Sequence, residues 1–220
     1  MNINDYQEKL NRFIDPKYQK FSSSLSGSLL PLLGIKIPLL RSLIKEVKDD
    51  KSFDPQKLKL NQYLEYNLSY LAISLERLND IKSQMEFLSI NLVYAKGWQV
   101  TDTLVSYVRK LSFKEYFPYF KNLIQSKDTF TRRFAIVLMR RFASDKDISK
   151  AFTYLKDDKE YYVEMAWAWL IADVMVYQPS QALLILKRKQ LSSTIKKKAT
   201  QKIRDSYRVD EELKLKASKI

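Results

Sequence analysis

Apolar residues recur at three- and four-residue spacing along almost the whole chain, which is the period of an amphipathic helix. Leu39, Leu40, Leu43, Ile44 and Val47 form one such stripe behind Pro38, and proline in the first turn suits a helix start. The same period predicts helices over 5–14, 17–25, 56–78, 82–95, 99–111, 115–126, 130–143, 147–155, 160–177, 180–188, 192–207 and 210–218. No stretch alternates long enough to make a strand, and no Asn-Gly turn occurs. Asp54-Pro55, Phe117-Pro118 and Gln178-Pro179 each read as the opening of a new helix. Phe21–Ser28, FSSSLSGS, reads as a loop or a frayed helix end because serine is a weak helix former.

The breaks are short, so consecutive helices should lie antiparallel to each other. Helices paired in units of roughly 35–45 residues predict an all-α superhelical solenoid of HEAT-like, armadillo-like repeats. The prediction is one repeat domain over residues 1–220. A compact bundle is the alternative packing. A curved solenoid would offer a concave face, and basic residues on it would cradle a duplex.

Composition narrows this picture. Only three glycines occur, Gly27, Gly34 and Gly97, which disfavours glycine-dependent hairpins and agrees with a mostly helical chain. Cysteine and histidine are both absent. A thiolate nucleophile, a Ser-His-Asp triad, an ordinary zinc site and a disulfide framework are therefore excluded. No run approaches the roughly 18 apolar residues that would span a bilayer. The first residues, MNINDYQEKL, are too polar for a signal peptide. The expectation is a cytoplasmic protein without a membrane partner, acting as a monomer and sitting at the nucleoid when bound to DNA.

Charge points to a polyanionic partner. The net charge is +14, with 16 basic and 12 acidic side chains in residues 1–110 (+4) and 23 against 13 in residues 111–220 (+10). Lys187, Arg188, Lys189, Lys196, Lys197, Lys198, Lys202, Arg204 and Arg208 face a single acid, Asp205, within 187–208. Clustered Lys and Arg neutralise phosphates and release counterions, and such contacts position a protein on DNA rather than specify sequence. A solubilising surface is the other meaning of such a cluster.

Three constellations carry candidate chemistry. Trp98 and Asp102 are four residues apart, so a helix places them on one face. An aromatic beside a carboxylate can pack on a nucleotide and set negative charge near its sugar. Equally, an interface tryptophan and a first-turn aspartate favoured by the helix dipole would produce the same spacing. In Asp128–Arg133, Asp128, Thr129 or Thr131 can cap the next helix, which then has Arg132 and Arg133 in its first turn. The dipole disfavours cations there by on the order of a few tenths of a kcal/mol. A bound phosphate would offset that, and so would a salt bridge to a neighbouring helix. Trp167 and Trp169 are two apart and cannot share a helix face, so at least one belongs to the core.

Taken in order, these segments resemble the AlkD-like DNA alkylation repair family. The resemblance rests on Asp15-Pro16-Lys17-Tyr18, on Leu33-Gly34-Ile35-Lys36-Ile37-Pro38-Leu39-Leu40-Arg41, and on Trp98-xxx-Asp102. It continues through Phe130-xx-Arg133-Phe134, Tyr161-Tyr162-Val163-x-Met165-Ala166-x-Ala168-Trp169 and Gln201–Val209. It implies a HEAT-like superhelix that holds duplex DNA and hydrolyses the N-glycosidic bond of N3- and N7-alkylated purines, without metal, cofactor or histidine. A cationic purine is already a good leaving group, so a carboxylate that stabilises positive charge on the sugar is the main requirement. Position by position, the resemblance makes Asp102 the catalytic aspartate and Trp98 the aromatic against the deoxyribose. It makes Arg133, rather than Arg132, the phosphate contact and Trp169 the second cleft aromatic. Trp167 stands where the family carries a small residue.

Two functional readings follow. The first is an alkylpurine DNA glycosylase. The second is a catalytically inactive HEAT-like homologue that binds DNA or acts as a scaffold. The second draws on the serine-rich Phe21–Ser28 segment, where active members grip DNA, and on Tyr94-Ala95-Lys96-Gly97 ahead of Trp98.

Overall fold

A computed structural model describes residues 1–28, 30–156, 158–189 and 191–220. All regular structure among them is helical: α1 Ile3–Arg12, α2 Pro16–Leu25, α3 Ile37–Val47, α4 Leu64–Arg77, α5 Ile81–Asn91, α6 Trp98–Leu104, α7 Phe113–Leu123, α8 Thr129–Met139, α9 Tyr161–Tyr177, α10 Pro179–Leu186, α11 Ser193–Arg204 and α12 Glu211–Ser218. The chain packs as two compact units, Met1–Lys110 and Leu111–Ile220, and each has its own core.

In the first unit, α4 is the central helix. It packs on α3, α5 and α6, and Leu64, Leu68, Leu71, Ala72, Ile73 and Leu75 on it are buried. It also carries a buried carboxylate, Glu65, whose oxygens accept the main-chain N–H groups of Leu33 and Gly34 at 2.9 Å each and of Ile35 at 3.3 Å. Backbone donors arranged around one anion satisfy a charge that burial would otherwise make costly. Gly34 has φ +91°, and a Cβ there would stand 2.4 Å from Gln19 Cβ and 2.9 Å from Gln19 Cα. The conformation favours glycine and the space admits nothing larger, so Glu65 and Gly34 together fix the turn between α2 and α3.

In the second unit, α9 is the central helix, packed on α8, α10 and α11. Val163, Ala166, Ala168, Leu170, Ile171 and Val174 of α9 are fully buried. Ile195, Ala199 and Ile203 of α11 are buried too, the i, i+4, i+8 stripe of a helix with one apolar face.

Several predicted boundaries moved. The helix predicted over 56–78 is a 3-10 turn at Pro55–Lys57 followed later by α4. Asn61 lies between them with φ 63°, which no α-helix passes through. Its N–H donates to Asn67 Oδ1 at 2.8 Å, and Asn67 Nδ2 donates to the Tyr94 carbonyl at 2.8 Å. Pro118 does not open a helix. It sits inside α7, whose start is set by the reciprocal capping box of Ser112 and Glu115. Pro118 is exposed, so the carbonyl that its missing N–H leaves unpaired can turn to water. The 147–155 stretch is 3-10 helical over Ile148–Tyr154 rather than α. Phe21–Leu25 is the last part of α2, not a loop, and only Ser26–Ser28 leave the helix. Pro179 opens α10, and Asp128 is the cap of α8, accepting from the Thr131 N–H at 2.8 Å.

Candidate active site and nucleic-acid interface

In the first unit, Gly97 caps the short helix α6 and Trp98 is its first residue. A Cβ on Gly97 would lie 3.1 Å from Leu64 Cδ1 and 3.4 Å from Ser28 Cβ, so the glycine lets the α6 start approach both α4 and the end of the serine-rich segment. Trp98 Nε1 donates to the carbonyl of Leu25, the last residue of α2, at 2.7 Å. The indole is therefore positioned by α2. Asp102 lies one turn further along α6, partly exposed, on the face that Trp98 occupies. The Thr101 hydroxyl, whose single hydrogen serves one acceptor at a time, lies 3.1 Å from Asp102 Oδ1 and 3.0 Å from the Trp98 carbonyl.

In the second unit the sequence-predicted Arg133 and Trp169 meet. The Arg133 guanidinium carbon lies 4.9 Å above the Trp169 ring, and its NH1 donates to the Tyr162 carbonyl at 2.7 Å. Arg133 is 2% exposed. Lys202 Nζ stands 6.0 Å from the same ring. Cations over an indole face are attracted by its quadrupole, and the partly exposed Trp169 acts as the floor on which they are held.

Sequence reasoning missed Arg140. Its guanidinium carbon is 5.0 Å from the Trp169 ring and its Nε donates to Asp173 Oδ2 at 2.6 Å. Arg140 follows Arg133 by seven residues, two helical turns, so the spacing was available as a signal. The α9 stripe was also missed. Tyr161, Met165, Trp169, Asp173 and Tyr177 recur every four residues and none is buried. Lys198 Nζ lies 5.4 Å from the Tyr161 ring, and the Arg208 guanidinium carbon 5.0 Å from the Tyr177 ring. From Tyr161 to Tyr177 the stripe spans about 24 Å of helix.

Other members of the basic set are placed differently. Arg132 forms a two-pronged ion pair with Asp158, Nε to Oδ2 at 2.7 Å and NH2 to Oδ1 at 3.1 Å, and donates to the Ser126 and Lys127 carbonyls. Asp158 and the Asp128 cap are the anions that offset a cation in the first turn of α8. Arg188 NH1 donates to the Phe152 carbonyl at 2.8 Å, and Arg204 NH2 contacts Gln201 Oε1 on its own helix. Lys187, Lys189 and Lys197 are exposed, and Lys196 is partly so. Trp167 is the core tryptophan, 1% exposed and set against Phe120 and Phe152 with ring centroids at 6.4 and 5.7 Å.

Among the described residues no group of three or more Asp or Glu could hold a metal ion, and no helix is long and apolar enough to cross a membrane.

Comparison with known proteins adds three findings. The model of the DNA alkylation repair enzyme family matches residues 6–203. No curated protein matches the chain. A solved structure described as a predicted DNA alkylation repair enzyme from Enterococcus faecalis is 17% identical, with TM-score 0.68 over 87% of this chain and 97% of its own. At that identity the likeness establishes a shared fold.

Proposed function

Because the chain belongs to the DNA alkylation repair enzyme family, whose model spans residues 6–203, we propose that it hydrolyses the N-glycosidic bond of N3- and N7-alkylated purines in duplex DNA. The observation that carries this reading is the pairing of Trp98 and Asp102 on one face of α6, with the indole tied to the Leu25 carbonyl and the carboxylate partly exposed beside it. The alkylated purine carries a positive charge and departs with the electron pair of the C1′–N bond. Positive charge then builds on the sugar, and the Asp102 carboxylate stabilises it. Water adds to C1′ and loses a proton to solvent. Trp98 packs against the deoxyribose and holds it beside Asp102. No metal enters, since the leaving group needs no further activation.

The second unit supplies phosphate contacts in this reading. Arg140 and Lys202 around Trp169 are held in place before DNA arrives, which lowers the ordering entropy lost on binding, while Arg133, 2% exposed and bonded to the Tyr162 carbonyl, supports the ring rather than meeting a phosphate. Arg208 on Tyr177 and Lys198 on Tyr161 extend the cationic stripe along α9. Arg132 is left out of the DNA contacts because Asp158 and two carbonyls already engage it.

A second reading, a non-excising DNA-binding or scaffold member of the same family, draws on one observation. The Phe21–Ser28 stretch beside Trp98 bears no charged side chain, so this part of the first unit offers a phosphate only neutral donors.

Incubation with methylated duplex DNA separates the two. Release of 3-methyladenine and 7-methylguanine above the buffer rate, abolished in Asp102→Asn, supports the glycosylase. No release together with salt-dependent duplex binding selects the scaffold reading. Loss of both release and binding rules out both.

A further inference from the structure

The first unit holds a cationic cup that the proposed chemistry does not use. It is an open cavity of about 260 Å³ whose lining includes Arg41, Lys45 and Lys48 of α3, Glu76 of α4, and Ser106 and Tyr107 of the 3-10 turn after α6. Three cations face one carboxylate there, a balance of +2. Lys48 Nζ pairs with Glu76 at 2.9 Å, so the acid is already matched. Among the described residues no carboxylate pairs with Arg41 or Lys45.

Arg41 is aimed before any ligand binds. Arg41 NH2 donates to Ser106 Oγ at 3.1 Å, while Ser106 Oγ donates onward to the Thr103 carbonyl at 2.7 Å. The Ser106 hydrogen is thus engaged and its oxygen anchors the guanidinium. Burial pushes the Tyr107 phenol above its ordinary range, with Arg41 opposing the rise, so the hydroxyl stays protonated and can donate. The turn itself is clamped by buried Gln84, which donates to the Leu75 and Tyr107 carbonyls and accepts the Arg109 N–H at 2.9 Å. A guanidinium, an ammonium and a phenol converging on a rigid concavity suit a tetrahedral oxyanion. The volume is roughly nine times the share of one water in the liquid, enough for a phosphate with an attached sugar.

We propose that the cup formed by Arg41, Lys45, Ser106 and Tyr107 is a phosphate-binding subsite. It takes the phosphate of a nucleic-acid strand or of a free nucleotide. Ser106 lies in the 3-10 turn that directly follows α6, about 13 Å beyond Trp98 by helical rise, which is roughly the length of four steps of a DNA strand at about 3.4 Å each.

The test titrates the isotope-labelled full chain with three probes: inorganic phosphate, deoxyadenosine monophosphate and an undamaged duplex. The amide signals of Ser106 and Tyr107 are followed in the wild type, in Lys45→Ser and in the double variant Arg41→Ser, Lys45→Ser, with a thermal melt to confirm that each is folded. Saturable movement with any probe that weakens at least threefold in Lys45→Ser and vanishes in the double variant supports the subsite. Response to the nucleotide alone assigns it to a free nucleotide, and response to the duplex alone to a strand phosphate. In the latter case the slope of log affinity against log salt falls by about one for each side chain removed. No saturable movement with any probe, or movement that persists in the folded double variant, overturns the proposal. The duplex arm rests on the DNA reading above and the other two do not. Excision from methylated DNA, read in parallel, keeps failure of the cup distinct from failure of the glycosylase assignment.

Discussion

The indole N–H of Trp98 donates to the main-chain carbonyl of Leu25 at 2.7 Å, joining residues 73 positions apart. It couples the first residue of α6 to the last residue of α2, and so makes the orientation of the Trp98 and Asp102 face depend on whether α2 is folded to its end. Trp98→Phe keeps an aromatic ring and removes that bond. The expected cost is about 1 kcal/mol of stability, with faster amide exchange confined to Ser22–Ser26. Base release should fall while duplex affinity changes little. Unchanged exchange in α2 would show that the contact does not position the ring.

Asp102→Asn preserves shape and removes the negative charge. Stabilisation of developing charge by one group is commonly worth a factor of about 100 or more in rate. The variant should lose that much in single-turnover release of methylated purines and melt within about 1 kcal/mol of the wild type. A variant that retains most of its rate would place the catalytic charge elsewhere.

Arg132 and Lys202 should separate folding from binding. Side chains of Arg132 and Asp158 are only 11% and 10% exposed, so Arg132→Gln leaves a largely buried carboxylate unpaired. It should cost about 3 kcal/mol in a denaturant melt and leave the salt dependence of duplex binding unchanged. Lys202→Gln, beside Trp169, should leave the melt intact and lower the salt slope by about 0.9. Reversal of the two outcomes would show that the arginine, not the lysine, meets phosphate.

Gly34→Ala tests the turn ahead of α3. The added Cβ meets Gln19 backbone at 2.9 Å and the Asp15 carbonyl at 3.0 Å, at φ +91°. Strain and overpacking together should cost about 2–4 kcal/mol, read as a lower denaturation midpoint. A near-neutral result would mean that the α2–α3 turn relaxes freely.

Helix caps give the protein an acid-sensitive margin. Hydrogen bonds from the Ser83 N–H and then the Ser83 hydroxyl hold Asp80 below its ordinary 3.8. A depressed carboxylate stabilises the fold above its unfolded value, and that contribution disappears as pH falls through the folded one. Asn caps equally well and does not titrate. Melting temperature of Asp80→Asn should match the wild type near neutral pH and decline less steeply below about pH 4. Parallel declines would mean that other carboxylates carry the acid sensitivity.

Much of this was legible in local spacing. The α11 stripe of Ile195, Ala199 and Ile203, the Asp128 cap and the opening of α10 at Pro179 are each decided within one or two turns of chain. The errors arose where a distant partner outweighed the local signal. Asn61 adopts a left-handed conformation because Asn67 offers its side chain, and Phe21–Leu25 completes a helix whose end packs against the α6 start, where its own propensity predicts fraying.

The same boundary runs through the candidate site. Sequence alone determined that the chain is helical, that it is basic in its second half, that metal and thiol chemistry on histidine or cysteine is excluded, and that Trp98 and Asp102 share a helix face. These follow from composition and from a period set by backbone geometry, which act over a few residues. Tertiary structure decided which arginine is engaged by an acid and which lies on an aromatic ring. Arg132 and Arg133 are adjacent and chemically identical, yet Asp158 takes the first and Trp169 receives the second. It also decided that Arg41 meets Ser106 across 65 residues to form a cationic cup. Charge and hydrogen-bond pairing depend on distance in space, which chain order does not encode, and so only packing could assign them.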